Sequence, residues 1–365
     1  MARRACLLLY LLPPAVFAGW LYDGFVDRGG LELAGAAFIA HKTLEEPPER
    51  AQTVSSEAAG ADEEAFMRAW APPWARGGNA THTRARGGSG TCGARARGGG
   101  GAVLRLTPAS PSVSGAAWSS ARVFAASGFT TGFTFALREA SRSCVRVRER
   151  SLSALTYAAC AATGGDGFAF VLRGEAAAAA GAGTAAALGA GASGLGYAGL
   201  RDALVVAFDT FFNAELGDLP TEFVSVRGPV TRGGSVGAGA AWRLAPARAA
   251  ALADGRPHVV RLRYHASLAA ATRAGGALAG AQLAAAPALA PLLVDAGGAA
   301  RLGALELHVD DLDGPPMLVL PINLPVLLAA PRGRAVAGFT AATGRAWQAH
   351  DIERWYWREG APAAP

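Results

Sequence analysis

The residues that carry most protein chemistry are scarce in this chain. Four cysteines, six histidines and three methionines occur among 365 residues. No Cys/His spacing fits a zinc site, so a zinc module is excluded. Charged residues make up only 17%. After the N-terminus no stretch is continuously apolar enough to span a membrane. No helical period recurs along the chain, which argues against a helical bundle.

Apolar and small residues are plentiful instead. Hydrophobic residues reach 51% and glycine 48 positions. Alanine- and glycine-rich tracts inflate both figures, so the core is smaller than they suggest. All-β sandwiches of roughly 200–250 residues fold as one unit. One domain over 19–358 with irregular inserts, followed by a short tail at 359–365, is the expected organisation. The net charge is +6, with arginine concentrated in residues 76–105 and 138–150. That is a local bias, not a basic fold, and it does not point to nucleic acid.

The first residues, Met1-Ala2-Arg3-Arg4-Ala5-Cys6, are basic, and an apolar run follows to Ala18. This reads as a secretory signal over 1–18 with Val16-Phe17-Ala18 as its cleavage site. As a membrane anchor the run is short and is broken by Pro13-Pro14. Secretion, or residence in the lumen of the secretory pathway, is the expectation, with no retention signal at 361–365. Cys6 would leave with the signal. In an oxidising compartment Cys144 and Cys160 are the natural disulfide, leaving Cys92 free or intermolecular.

Strands are expected at 31–38, 102–107, 129–137, 165–172, 204–208, 223–226, 258–264, 305–309, 317–320, 335–341 and 352–357. The stretch 258–264 alternates with a clear period of two. Residues 43–101 interrupt this series, first acidic, then built on Arg76-Gly77-Gly78, Arg86-Gly87-Gly88 and Arg97-Gly98-Gly99. Such composition does not order itself, apart from a short helix expected at 63–70. Arg-Gly-Gly repeats also occur in RNA-binding tails. The signal and the Asn79-Ala80-Thr81 sequon place this loop on the wrong side of a membrane for RNA and make Asn79 a glycosylation candidate. Residues 138–163 form a second insert, holding the paired cysteines. Residues 175–193 read as a surface loop or short helix. Many short strands with Gly/Pro turns indicate an all-β sandwich.

The most informative stretch is 205–218, Val-Val-Ala-Phe-Asp-Thr-Phe-Phe-Asn-Ala-Glu-Leu-Gly-Asp. Asp209, Phe211, Asn213 and Asp218 fall at D-x-F-x-N-x4-D spacing. An Asx turn is the bland account of such a loop. Two carboxylates, a carboxamide oxygen and a backbone carbonyl also suit a hard cation such as Ca²⁺.

Its surroundings favour the second account. They include Gly165-Asp166-Gly167-Phe168-Ala169-Phe170-Val171-Leu172 and Gly194-Leu195-Gly196-Tyr197-Ala198-Gly199-Leu200. Later come Gly338-Phe339-Thr340-Ala341-Ala342-Thr343-Gly344 and His350-Asp351-Ile352-Glu353-Arg354-Trp355. In this order, with Leu104-Arg105-Leu106-Thr107 and Phe129-Thr130-Thr131-Gly132-Phe133-Thr134-Phe135 upstream, they resemble a legume-type (L-type) lectin domain, concanavalin-like. The resemblance covers roughly 22–357, with insertions.

The resemblance implies a jelly-roll β-sandwich and non-catalytic, calcium-dependent binding of glycans or glycoproteins, with homo-oligomers in some relatives. Asp209, Asn213 and Asp218 would hold Ca²⁺ through side chains and Phe211 through its carbonyl. Asp166, after a cis peptide bond, would accept sugar hydroxyls. Phe211 would stack on the sugar, Asn213 would donate to it, and Ser193 or Gly194 would give a backbone N–H. Trp347, in the loop 345–349, is a second stacking candidate or an ordinary packing residue. Relatives often hold a second metal through a Glu and a His where Ala207 and Phe223 stand, so no Mn²⁺ site is expected. Two other readings remain. One is a lectin-fold scaffold for protein contacts. The other is a glycoside hydrolase, for which Glu306, Asp310 and Asp311 are the nearest carboxylates, although Leu312-Asp313-Gly314-Pro315 reads as a hairpin turn. His350-Asp351 reads as the start of a strand, and His258 and His265 as structural or exposed.

Overall fold

Alternation of large and small residues decides which way each strand faces. The computed structural model describes residues 19–23, 25, 30–41, 101–148, 156–180, 187–230, 233–245, 247–266 and 303–360. The signal, Cys6, Cys92, Asn79, the 63–70 helix and most of the Gly/Arg-rich insert lie outside them.

Two eight-stranded antiparallel sheets form the sandwich. The first runs β16 (Leu318–Ile322), β15 (Gly303–Val309), β14 (His258–His265), β7 (Phe129–Arg138), β18 (Ala349–Glu359), β4 (Ala102–Thr107) and β3 (Phe38–His41), with β1 (Gly19–Asp23) also on β18. The second runs β13 (Arg248–Ala249), β12 (Phe223–Arg227), β11 (Ala203–Asp209), β10 (Gly167–Gly174), β17 (Arg334–Ala342), β5 (Ser114–Ser119) and β2 (Leu31–Gly35), with β6 (Val123–Phe124) on β17. The chain crosses repeatedly between the sheets, so neighbours in a sheet are distant in sequence. This is a jelly-roll sandwich.

Between the sheets lies an aromatic core. Phe168 and Phe208 stack at 4.6 Å, and Phe133 meets Phe339 edge-on at 5.0 Å. These rings come from both sheets, so a truncation such as Phe133→Ala would cost about 3–5 kcal/mol. The opposite face of the second sheet is buried too. Ala169, Val171, Val205 and Ala207 there pack under Leu195, Tyr197 and Val236. Loops therefore cover that face and build walls beside the strand ends.

The structure departs from the sequence expectation at several points. The strand expected at 31–38 is two strands in different sheets, divided by a turn at Gly35 (φ 62°). A Cβ there would run into the Ser114 carbonyl, so glycine serves this close approach. The insert at 138–163 is largely a regular hairpin of β8 (Ser141–Arg148) and β9 (Thr156–Thr163). Cys144 and Cys160 face each other across it and are disulfide-bonded as expected. Finally, β5, Ser-Gly-Ala-Ala-Trp-Ser, has little intrinsic strand propensity and is a strand because it lies between β17 and β2. At 175–193 a short helix, α1 (Glu175–Ala180), does form.

Candidate ligand-binding site

Asp166 sits just before β10, after a cis peptide bond from Gly165. Its N–H donates to the Ala342 carbonyl at 3.0 Å, and its own carbonyl accepts from the Thr210 N–H at 2.9 Å. The backbone is thus fixed to β17 on one side and to the loop after β11 on the other. The side chain is 5% exposed, and Oδ2 has no hydrogen-bond partner. Burial alone pushes the carboxyl up to about 6. A Cβ on Gly344 would lie 2.8 Å from Oδ2, and one on Gly165 would lie 3.3 Å from the Phe211 ring. The glycines therefore permit a close approach to an orphaned acceptor, with an aromatic ring beside Gly165.

Asp209 ends β11 on the covered face of its sheet, in step with Val205 and Ala207. Its Oδ1 accepts the Phe211 N–H at 3.3 Å. Burial first, and Asp218 second, push its carboxyl up to about 7. Asp218 Oδ2 accepts the Asn213 N–H at 3.1 Å. Each carboxylate thus turns one oxygen toward the Phe211–Asn213 turn. Asn213 precedes a 3-10 turn, Ala214–Leu216, yet its side chain does not cap it. An asparagine at such a position usually caps; here its amide is left for another partner. Thr210 and the exposed Phe212 line an adjoining cleft of about 650 Å³ with Glu222 and Ala249.

Among the described residues no three His, Cys, Asp or Glu side chains gather as a metal site. A cation here would need the Asn213 amide and the Phe211 carbonyl beside the two carboxylates. Such an all-oxygen set has the chemistry of calcium coordination.

Two cations at this site were not expected from the sequence. Arg227 Nη2 lies 3.7 Å from Asp209 Oδ2, and Arg243 Nη2 lies 2.7 Å from Asp218 Oδ1. Arg227 was discoverable in principle, because it follows Phe223 and Ser225 at a period of two in the strand beside β11. No local signal marks Arg243.

The remaining candidates fall around the pocket. Leu195 accepts a hydrogen bond from Thr340 Oγ1 at 2.8 Å, which fixes the Ser193–Gly194 turn over β17, the strand that holds Asp166. The Gly194 N–H already donates to the Gly191 carbonyl, so Ser193 is the better donor of the two. In the loop after β17, Gly344 faces Asp166, Ala346 faces Gly165 and Gln348 faces Gly164. Trp347 lies between them, and its backbone is bonded to Ser141 at the base of the hairpin.

The carboxylates considered for hydrolysis lie elsewhere, Glu306 on β15 in the other sheet and Asp310 and Asp311 just after it. Glu306 pairs with His265 at 3.1 Å and Asp310 with His258 at 2.9 Å. The turn after Asp311 joins β15 to β16 as a hairpin. His350 is fully buried against Thr107, and burial pushes it down to about 3. Asp351 is gripped by Arg105 at 2.7 and 2.8 Å. These are structural pairs.

No family model and no curated protein matches the chain. Solved structures do. Peanut lectin with a nonapeptide is 14% identical, with 94% of this chain and 97% of that one covered and a TM-score of 0.46. The lectin of Bauhinia forficata in complex with GalNAc is 13% identical, covering 95% and 100%, with a TM-score of 0.47. The lumenal domain of VIP36, in its Ca²⁺/Man3GlcNAc-bound form, is 15% identical, covering 70% and 79%, with a TM-score of 0.41. The crossed two-sheet topology, the cis bond before Asp166 and the loop from Asp209 to Asp218 are the features implied by the sequence resemblance. The chain itself is an antiparallel two-sheet jelly-roll sandwich.

Proposed function

We propose that this chain binds carbohydrate, without catalysis, in the pocket around Asp166. One observation carries the reading: a buried carboxylate oxygen without a hydrogen-bond partner, approached closely by Gly344 and next to Gly165, which packs on an aromatic ring. A buried acceptor left unmade costs about 1–3 kcal/mol, which a ligand hydroxyl would recover. Asp166 would accept two sugar hydroxyls, the Phe211 ring would cover the apolar face of a pyranose, and the Asn213 amide and Ser193 N–H would donate. The cleft along Phe212 offers room for further sugar units.

The donors Asp209, Asn213, Asp218 and the Phe211 carbonyl have the chemistry to hold one calcium ion, which would have to share carboxylate oxygens that already face a guanidinium or a backbone N–H. When bound, calcium would supply the charge that keeps both carboxylates ionised side by side. Both are already shared with guanidinium groups. That predicts a weak site, with Kd on the order of 10⁻⁴–10⁻³ M. Ala207 and Phe223 offer no donors for Mn²⁺. The disulfide and the signal-like N-terminus support a secreted or lumenal location, where glycoproteins are the natural partners.

The test is a glycan array with the full chain, run in calcium, in chelator, and with Asp166→Asn. Binding that disappears with the substitution supports the pocket, and its loss in chelator supports calcium dependence. Silence from a folded protein in both buffers would sink the reading and favour a scaffold role.

A further inference from the structure

Arg227 and Arg243 have no part in the sugar contacts described above, yet they are built into the loop. Their backbones meet as an isolated β-bridge, and their guanidinium groups reach the two carboxylates of one loop. Arg227 is 1% exposed and Arg243 12% at the side chain. Two like charges in so dry a place repel unless each has a counter-charge. Arg243 has a strong one: Nη2 donates to Asp218 Oδ1 at 2.7 Å, while Nη1 donates to the Gly217 carbonyl at 2.7 Å. One planar side chain therefore holds two consecutive residues at the end of the loop. Its Cζ lies 5.1 Å from the centre of the Phe223 ring, a cation–π distance. Arg227 donates through Nε to Ser225 Oγ at 3.0 Å and directs Nη2 toward Asp209 Oδ2. The two carboxylates are thus divided. Asp209 Oδ2 and Asp218 Oδ1 face the arginines, while Asp209 Oδ1 and Asp218 Oδ2 accept the N–H groups of Phe211 and Asn213.

We propose that Arg243, seated on Phe223 and supported by Arg227, is a positioning residue, a built-in cation that orders the 209–218 loop from the sheet side without a second metal. The proposal rests on the sugar reading only in taking that loop as the binding loop. Its consequence is that the loop is formed before any ion or sugar arrives.

The experiment is site-resolved hydrogen exchange on the full chain in chelator. The Phe211 and Asn213 amides should be protected in the unchanged protein. Arg243→Gln should lower that protection about tenfold or more, the loss of one charge-assisted contact. Arg243→Lys keeps the charge without the fork and should fall between them. Core amides of Phe133 and Phe168 report whether each variant is folded. If Arg243→Gln fails to fold, the double variant Asp218→Asn/Arg243→Gln removes both charges together and should show the same local loss. Rapid exchange of the loop in the unchanged protein, undiminished protection in either folded variant, or extra protection from added Mn²⁺ would each overturn the proposal. The glycan array separates the two ideas. A silent array with arginine-dependent protection leaves the brace standing and removes the sugar reading, and the reverse pattern does the opposite.

Discussion

Each sheet of the sandwich carries a group of interacting ionisable side chains, and the two are finished differently. On β14, His258 sits between Asp254 at 3.0 Å and Asp310 at 2.9 Å, and the second oxygen of Asp310 accepts the Val259 N–H at 3.0 Å. Its charges and hydrogen bonds close on one another. At the ends of β10 and β11, Asp166 Oδ2, the Tyr197 hydroxyl and both terminal nitrogens of Arg227 are buried without hydrogen-bond partners. The groups are of the same kind, but the first is the wetter: the side chains of Asp254 and Asp310 are 38% and 31% exposed, those of Asp209 and Asp218 7% and 1%. A closed group stabilises the fold, whereas an open one retains unmet bonding capacity that a ligand can use.

The strongest way to break this comparison is Asp166→Asn. It should lower glycan affinity about a hundredfold, since a charged acceptor is lost from the pocket. Stability at pH 7 should not fall, because the carboxylate it removes is costly to bury. Calorimetric titration with thermal unfolding reads both, and a large drop in Tm would contradict the contrast. His258→Ala should do the reverse. It takes the imidazole from Asp310, which keeps the Val259 N–H and is 31% exposed, costing about 1 kcal/mol in denaturant unfolding, while glycan affinity stays within about twofold.

Acidity sharpens the same contrast. The Asp166 carboxyl, raised to about 6 from an ordinary 3.8, binds its proton more tightly in the folded state. Its contribution to unliganded stability therefore declines as pH rises from about 4 to 6. Glycan affinity needs the ionised form and should fall about tenfold between pH 7 and pH 5. His258 is raised by Asp310 and Asp254 against the effect of burial. Its stabilisation is present below pH 6.5 and is lost as pH rises through its higher folded value. Unfolding measured across both windows, with and without each substitution, separates the two slopes. The mildest change is Gly344→Ala, whose methyl would press on Asp166 Oδ2. Affinity should drop roughly threefold with little change in stability, in keeping with a cost below about 1 kcal/mol.

The sequence exposed much of this arrangement because its signals are local. The D-x-F-x-N-x4-D loop lies within ten residues, and Asp209 takes its face from the alternation of β11. Strands with branched or aromatic residues, such as β7 and β14, were legible for the same reason. Weak alternation hid β5, and the stretch 31–38 concealed a turn because Gly35 carries no signal of what stands opposite. The stretch 138–163 was expected as an insert holding the paired cysteines, whereas backbone pairing makes it a hairpin.

By itself, the sequence determined the sandwich class and the paired cysteines, since strand patterns and a 16-residue cysteine spacing are legible along the chain. Only the tertiary structure decided which groups are satisfied. Asp166 meets Thr210 across 44 residues, and Arg243 meets Asp218 across 25. Burial is a collective property of the packed sheets and loops. An unpaired oxygen or a guanidinium brace therefore exists only once distant strands have come together to exclude water.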